Sequence, residues 1–181
     1  MGSGRCGRYA NTYGAKRNCS HEHISEGSQP YSETYHVEPK MLEKDKSDPD
    51  IYNEVKGYFK NPTSTLLESA IDGNRFVYNK ERVDGERTYI LDKDGNIFFG
   101  KRCNPNNSKG RSPHPTLIGG KDPIVQCAGI IFFYKGRILY VNNNSGHYKP
   151  NIKSMEKVYA ILKELYKKNP NIFDKNFKWG W

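Results

Sequence analysis

Residues 128–141, AGIIFFYKGRILYV, carry the clearest strand pattern in the chain. Two apolar runs, 128–134 and 137–141, flank the turn dipeptide Lys135-Gly136, which predicts a β-hairpin. The first run is almost continuously apolar, as in strands that are covered on both faces. We therefore expect residues 128–134 to form a central strand of a sheet.

A second hairpin is predicted upstream of this one. Thr88–Leu91 and Asn96–Phe99 flank the turn Asp92-Lys93-Asp94-Gly95. Phe76–Tyr78 forms a further short strand pattern. The sheet should therefore consist mainly of two antiparallel hairpins.

Two segments have helical patterns. The later one begins after the capping residue Asn151 and ends at Asn169-Pro170. Its apolar positions share one face and are Met155, Val158, Tyr159, Leu162, Leu165 and Tyr166. The earlier one is shorter and should run from Asn61-Pro62 to Gly73. Its apolar face consists of Leu66, Leu67, Ala70 and Ile71.

These elements predict an α+β fold for a chain of 181 residues, a length that suits one hydrophobic core. An antiparallel sheet of two hairpins is packed by a C-terminal helix and a short N-terminal helix. Residues 1–50 show no sustained period and form an irregular N-terminal arm, and residues 51–181 form a single α+β domain.

The composition favours an anionic partner. Twenty-nine Lys and Arg against 20 Asp and Glu give a net charge of +9, so RNA or another phosphate-bearing ligand is the expected partner. Mean hydropathy is -0.89, and we find neither an 18-residue apolar run nor an apolar N-terminal region. We therefore expect no membrane segment, no signal peptide and a cytoplasmic protein.

Two loops concentrate candidate functional residues. The long segment 102–123 is rich in Pro, Gly and Asn, and such long loops are usually functional or disordered. The turn 142–150 joins the last strand to the N-terminus of the last helix, where free amides favour an anion. The predicted substrate-binding residues are Lys101, Arg102, Arg111, Lys121, Gly119, Gly120, Ser145 and Tyr148.

His147, His114, Lys149 and Thr116 are the predicted catalytic residues. Two imidazoles and a cation suffice for metal-independent cleavage of RNA. One His accepts the proton of the 2′-hydroxyl, the other protonates the leaving 5′-oxygen, and a cation stabilises the phosphorane. No cofactor is needed for this reaction. The same residues could instead hold the pyrophosphate of NAD, or they could simply pack two turns.

The arm contains four potential zinc ligands, Cys6, Cys19, His21 and His23, in the pattern C-x12-C-x-H-x-H. The spacing matches neither C-x2-C nor H-x3-5-H, so a structural zinc site and a flexible arm both stay open. With only four Cys in the chain, reduced thiols are expected.

Two motifs, His114-Pro-Thr-Leu-Ile-Gly-Gly120 and Ser145-Gly-His-Tyr-Lys-Pro150, carry a family resemblance. Between Thr88 and about Leu162 the chain resembles the plant IQ-motif calmodulin-binding proteins, although it has no apparent IQ motif. The wider sequence, including the stretches 29–31, 57–62 and 113–123, resembles prophage-encoded and polymorphic-toxin C-terminal domains of Gram-positive bacteria. That resemblance implies a toxin or effector, an immunity or antitoxin partner, and possible delivery into a target-cell cytoplasm without a signal peptide.

Three functions follow as expectations. The first is a toxin-type ribonuclease similar to the small metal-independent nucleases of the barnase and colicin class. The second is an ADP-ribosyl-transferring toxin, which uses NAD and needs a carboxylate such as Glu33 or Glu38 at the same cleft. The third is a non-enzymatic binder of a phosphorylated ligand or a partner protein.

Overall fold

The computed structural model describes residues 28–60, 64–101 and 112–180. The helices are α1 (Pro39–Asp45) and α2 (Met155–Lys168). The strands are β1 (Tyr52–Asn53), β2 (Tyr58–Phe59), β3 (Thr65–Leu66), β4 (Ile71–Asp72), β5 (Arg75–Tyr78), β6 (Glu81–Arg82), β7 (Gly85–Leu91), β8 (Ile97–Lys101), β9 (Cys127–Tyr134) and β10 (Arg137–Val141). Single 3-10 turns occupy Leu67–Ala70, His114–Leu117, Ile152–Ser154 and Pro170–Ile172.

The central sheet has five antiparallel strands in the order β10-β9-β7-β8-β3. Both predicted hairpins, β7–β8 and β9–β10, are present, and the pairing of β7 with β9 joins them. The α+β class and the antiparallel sheet with its C-terminal helix are therefore confirmed. β1 with β2 and β4–β5–β6 form two smaller sheets.

Both faces of the central sheet are covered, because side chains alternate along each strand. On one face, Tyr89 and Leu91 of β7 share a core with Val158 and Leu162 of α2. On the other face, Ile90 belongs to a second cluster, whose buried members are Tyr35, Ile90, Leu117, Val125, Ala128 and Tyr148. The predicted double coverage of residues 128–134 is thus observed, with β9 inside the sheet.

The C-terminal helix forms as its pattern predicts. The Asn151 side chain accepts a hydrogen bond from the backbone N–H of Lys153 and caps the 3-10 turn that leads into α2. The buried face of α2 consists of Met155, Val158, Tyr159, Leu162 and Leu165. Tyr166 differs from the prediction, because it is 43% exposed at the edge of this face.

The helix predicted between Asn61 and Gly73 is wrong. Residues 65–72 instead form β3, one 3-10 turn and β4, while Asn61 and Pro62 lie outside the described residues. Thr65 pairs with Phe99 of β8, and Ile71 pairs with Phe76 of β5. Apolar residues at positions 66, 67, 70 and 71 fit either a helix or a strand–turn–strand, and the pairing with β8 and β5 decides between them. A short helix that was not predicted, α1, lies instead within the segment expected to be an irregular arm.

Residues 28–50 pack against the sheet rather than away from it. Tyr35 and Val125 exchange backbone hydrogen bonds of 2.7 and 3.1 Å, and Tyr35 is buried in the second cluster. α1 follows within this segment, beside the turn 142–150. Across the described ranges, no helix is long and apolar enough to cross a membrane.

Candidate functional site

The two predicted loops meet at the end of β10. Ser145 Oγ in the turn 142–150 lies 3.1 Å from His114 Nδ1 in the other loop. His147, two residues farther along, contacts α1 instead. The two histidines therefore belong to adjoining turns but have different partners.

Both ring nitrogens of His114 are bound by the protein. Nε2 lies 2.8 Å from the carbonyl oxygen of Gly129, and because a carbonyl only accepts, Nε2 carries the proton. Nδ1 then accepts from the Ser145 hydroxyl. His114 is 6% exposed and links β9 to both turns. This geometry supports the structural alternative for His114 and gives no support to its predicted catalytic role.

His147 is held by a carboxylate. Its Nε2 lies 2.7 Å from Asp45 Oδ2, and the two side chains are 10% and 6% exposed. No described residue hydrogen-bonds the other ring nitrogen, Nδ1. Asp45 fixes the orientation of the ring and places the proton on Nε2.

A second pair of opposite charges lies beside this dyad. Lys149 Nζ is 3.4 Å from Glu38 Oε2, and both side chains are partly exposed. The backbone N–H of Glu38 also donates to the His147 carbonyl oxygen at 2.6 Å. Glu38 and Asp45 thus lie at the start and the end of α1, and both contact the turn 142–150.

Ser145 and Tyr148, predicted to bind substrate, pack the turn instead. Ser145 is 3% exposed, and its hydroxyl accepts from the Tyr148 backbone N–H. Tyr148 is fully buried, and its hydroxyl donates to the Pro123 carbonyl. Burial raises the pKa of Tyr148 well above its ordinary value, so the hydroxyl remains a neutral donor.

Thr116 and the two glycines of the other loop also make internal contacts. The Thr116 hydroxyl, predicted to take part in catalysis, is buried and donates to the Pro113 carbonyl at 2.7 Å. Gly120 exchanges two backbone hydrogen bonds with Phe59. Gly119 and Gly120 have φ of 74° and 93°, which explains the choice of glycine there. The two glycines therefore let the loop fold back against the protein.

The predicted basic residues are only partly described. Lys101 and Lys121 are exposed, which suits contact with an anion. Arg102 and Arg111 lie outside the described residues. The basic loop as a substrate-binding element therefore stays a prediction.

The zinc prediction concerns Cys6, Cys19, His21 and His23, which all lie outside the described residues. Within the described ranges, no group of three or more His, Cys, Asp and Glu side chains could hold a metal ion. The buried thiol of Cys127 has its pKa raised to about 12 by burial, so it is a neutral core group and not a nucleophile.

Asp45 is a residue of the candidate site that the sequence did not reveal. It lies in the run Glu43-Lys44-Asp45-Lys46, which has the pattern of a solvated stretch. It is nevertheless 4% exposed, because α1 turns it toward His147. Nothing in its neighbours distinguishes it from the other carboxylates of the arm.

The dyad can perform acid–base chemistry. An imidazole with one nitrogen on a buried carboxylate and the other not hydrogen-bonded within the protein can accept a proton from a bound molecule and release it again.

No protein family, curated protein or solved structure matches the chain.

Proposed function

We propose that this chain is a toxin- or effector-type ribonuclease in which His147, oriented by Asp45, is the general base. The observation that carries the proposal is the 2.7 Å contact between His147 Nε2 and Asp45 Oδ2, together with a ring Nδ1 that no described residue hydrogen-bonds. The toxin or effector type rests on the resemblance of the two motifs.

The reaction is a transesterification within RNA. His147 Nδ1 accepts the proton of a 2′-hydroxyl, and the 2′-oxygen attacks the adjacent phosphorus. The bond to the 5′-oxygen breaks, and that oxygen takes a proton from water. The products are a 2′,3′-cyclic phosphate and a 5′-hydroxyl, and neither a metal nor a cofactor takes part.

Charge supports RNA as the substrate. The chain carries a net charge of +9, which attracts polyphosphate backbones. Lys149 lies two residues from His147, and movement away from Glu38 would place its ammonium on a phosphate. The proposed site of action is a cytoplasm, either that of the producing cell or that of a target cell, with an immunity or antitoxin protein as the natural inhibitor.

The test compares wild type with His147→Gln, first in induced bacteria and then with purified protein and total RNA. We expect specific RNA fragments with wild type, and cleavage at least about 100-fold slower with the variant, because a general base contributes about that much. Thermal unfolding of both proteins verifies that the variant is folded.

His36→Gln is the matched control. His36 Nδ1 also lies 3.0 Å from a carboxylate, that of Asp122, but both side chains are more than two-thirds exposed. This variant should cleave RNA like wild type. A folded His147→Gln protein that cleaves at the wild-type rate would refute the proposal.

The position of the Glu38 carboxylate supports a second candidate function, the transfer of ADP-ribose from NAD. That reaction needs a carboxylate near the ligand, and Glu38 lies 3.4 Å from Lys149 in the same site. Intact RNA with consumption of NAD, abolished in Glu38→Gln, would identify it. Intact RNA and intact NAD would favour a non-enzymatic binder.

A further inference from the structure

An open cleft of about 580 Å³ lies at the other end of the β9–β10 hairpin from His147. Its walls are the turn between β9 and β10 and the segment that follows α2. The side chains that matter for a ligand are Tyr134, Lys135, Arg137, Tyr166, Lys175 and Trp179. The cleft is large enough for one or two nucleotides, since ligand pockets span roughly 300 to 1,000 Å³.

Aromatic rings form much of this surface. Tyr134 and Tyr166 are 47% and 43% exposed. Trp179 packs edge-on against Phe177, with the ring centroids 4.7 Å apart, and against Tyr166 at 5.6 Å. The rings are thus held in place by one another while two of them face solvent, which suits the stacking of planar groups.

The charge of the cleft is positive. Lys135, Arg137 and Lys175 line it against a single carboxylate, Asp174. None of these three cations forms an ion pair with any residue in the described part of the chain. Arg137 Nε donates to the Asn171 carbonyl at 2.9 Å, which fixes the guanidinium at the wall. Lys135 Nζ lies 5.4 Å from the centre of the Tyr134 ring.

We propose that this cleft binds single-stranded RNA, with bases stacked on Tyr134 and Tyr166 and phosphates held by Lys135, Arg137 and Lys175. Rings interleaved with unpaired cations are the combination that single-stranded nucleic acids require. The cleft is separate from the dyad, because the five residues of β10 span about 17 Å. The cleft is a second RNA-binding surface. The inference rests on the proposed function, because RNA is the substrate proposed there.

The test is fluorescence anisotropy with a labelled 2′-O-methyl RNA dodecamer, which cannot undergo attack by a 2′-hydroxyl. Tyr134→Ala should weaken binding about tenfold, the effect of losing one stacked base. Lys175→Glu should reduce the slope of log Kd against log salt concentration by about 0.7, the value for one lost phosphate contact.

Two variants serve as matched controls. Lys93→Glu makes the same charge change in the β7–β8 turn, at the opposite end of the sheet. Tyr31→Ala removes another exposed tyrosine, whose hydroxyl donates to the carboxylate of Glu33, a group that repels phosphate. Both should bind the dodecamer like wild type.

Unchanged binding in both Tyr134→Ala and Lys175→Glu would overturn the proposal, and so would equal affinity for an abasic oligomer of the same length. RNA binding by a wild-type protein that does not cleave RNA would refute the proposed function alone, and cleavage by wild type with unaltered binding in the cleft variants would refute this inference alone.

Discussion

His114 and His147 lie in adjoining turns of the same site, yet the two turns use the imidazole differently. In the first turn both ring nitrogens are bound inside the protein, by Gly129 and Ser145. In the second turn one nitrogen is bound by Asp45 and no described residue hydrogen-bonds the other. A histidine can take part in proton transfer only if a ring nitrogen reaches the substrate or a nucleophile that the substrate can reach. The serine on His114 is only 3% exposed, so the partners of the ring nitrogens and their burial separate a structural histidine from a candidate catalytic one.

The largest effect should come from Gly129→Ala, which disturbs the anchor of the His114 turn. An added Cβ would lie 1.8 Å from the Asn142 carbonyl oxygen, so the backbone must move. We expect a loss of about 3 kcal/mol or more in the free energy of unfolding, because two backbone segments clash. Urea unfolding measures it. Gly146→Ala, whose Cβ would meet nothing within 4 Å, should be nearly neutral. Equal stability of the two variants would contradict the prediction.

His114→Ala should lower stability by about 2 kcal/mol, because it leaves the buried Gly129 carbonyl without its donor. Cleavage per folded molecule should be unchanged, in contrast to His147→Gln. Thermal unfolding and RNA cleavage at a temperature well below the transition measure the two quantities. His36→Ala, at an exposed site, provides the control. A stable variant that has lost cleavage would restore the two-histidine mechanism.

Asp45→Asn should act on the second turn alone. The neutral amide orients the His147 ring less firmly and cannot stabilise an imidazolium, so we expect cleavage to fall about tenfold, equivalent to about 1.4 kcal/mol. The rate with purified RNA measures this effect. Asp50→Asn, at an exposed position just beyond α1, should have no effect. An unchanged rate in Asp45→Asn would show that the pair is only structural.

The smallest effect should come from Tyr148→Phe. Tyr148 belongs to the turn 142–150, and its hydroxyl contacts Pro123 of the other loop. At neutral pH the lost hydrogen bond to Pro123 should cost about 1 kcal/mol of stability. The folded chain holds the Tyr148 proton more tightly than the unfolded chain, because burial raises the pKa of this group.

Wild type should consequently keep the stabilisation that the neutral Tyr148 hydroxyl provides below about pH 10, the ordinary tyrosine pKa. This stabilisation should be lost as the pH rises further. Tyr148→Phe should show a shallower loss, whereas Tyr78→Phe, at an exposed position, should follow wild type. Urea unfolding at several alkaline pH values measures both slopes. Parallel curves for Tyr148→Phe and wild type would contradict the prediction.

Local patterns predicted the elements whose partners are close in the chain. Both central hairpins follow from apolar runs around short turns, since each strand lies next to its partner along the sequence. α2 follows from one apolar face and from Asn151 as the cap. β3 was missed because its partner β8 lies far along the chain. β4 pairs with the neighbouring strand β5 but has only two residues, too few for a strand pattern. Four apolar residues between positions 66 and 71 fit a helix equally well when these pairings are unknown.

The candidate site could be predicted only in part. His147 stood out because it lies between a strand end and a helix N-terminus, and the structure places it against α1. Its carboxylate partner could not be found, because Asp45 lies in a charged run and is 102 positions away. The sequence pattern likewise could not show that the nitrogens of His114 are bound by a backbone carbonyl and a serine hydroxyl.

That separation of 102 positions has a consequence for the order of events in folding. Closing so long a loop is entropically costly, so contacts of this kind form once the intervening structure brings the ends together. The pair cannot exist in a growing polypeptide until residue 147 has been synthesised. Nascent and incomplete chains therefore lack the assembled dyad, and chemical competence arises only together with the native topology.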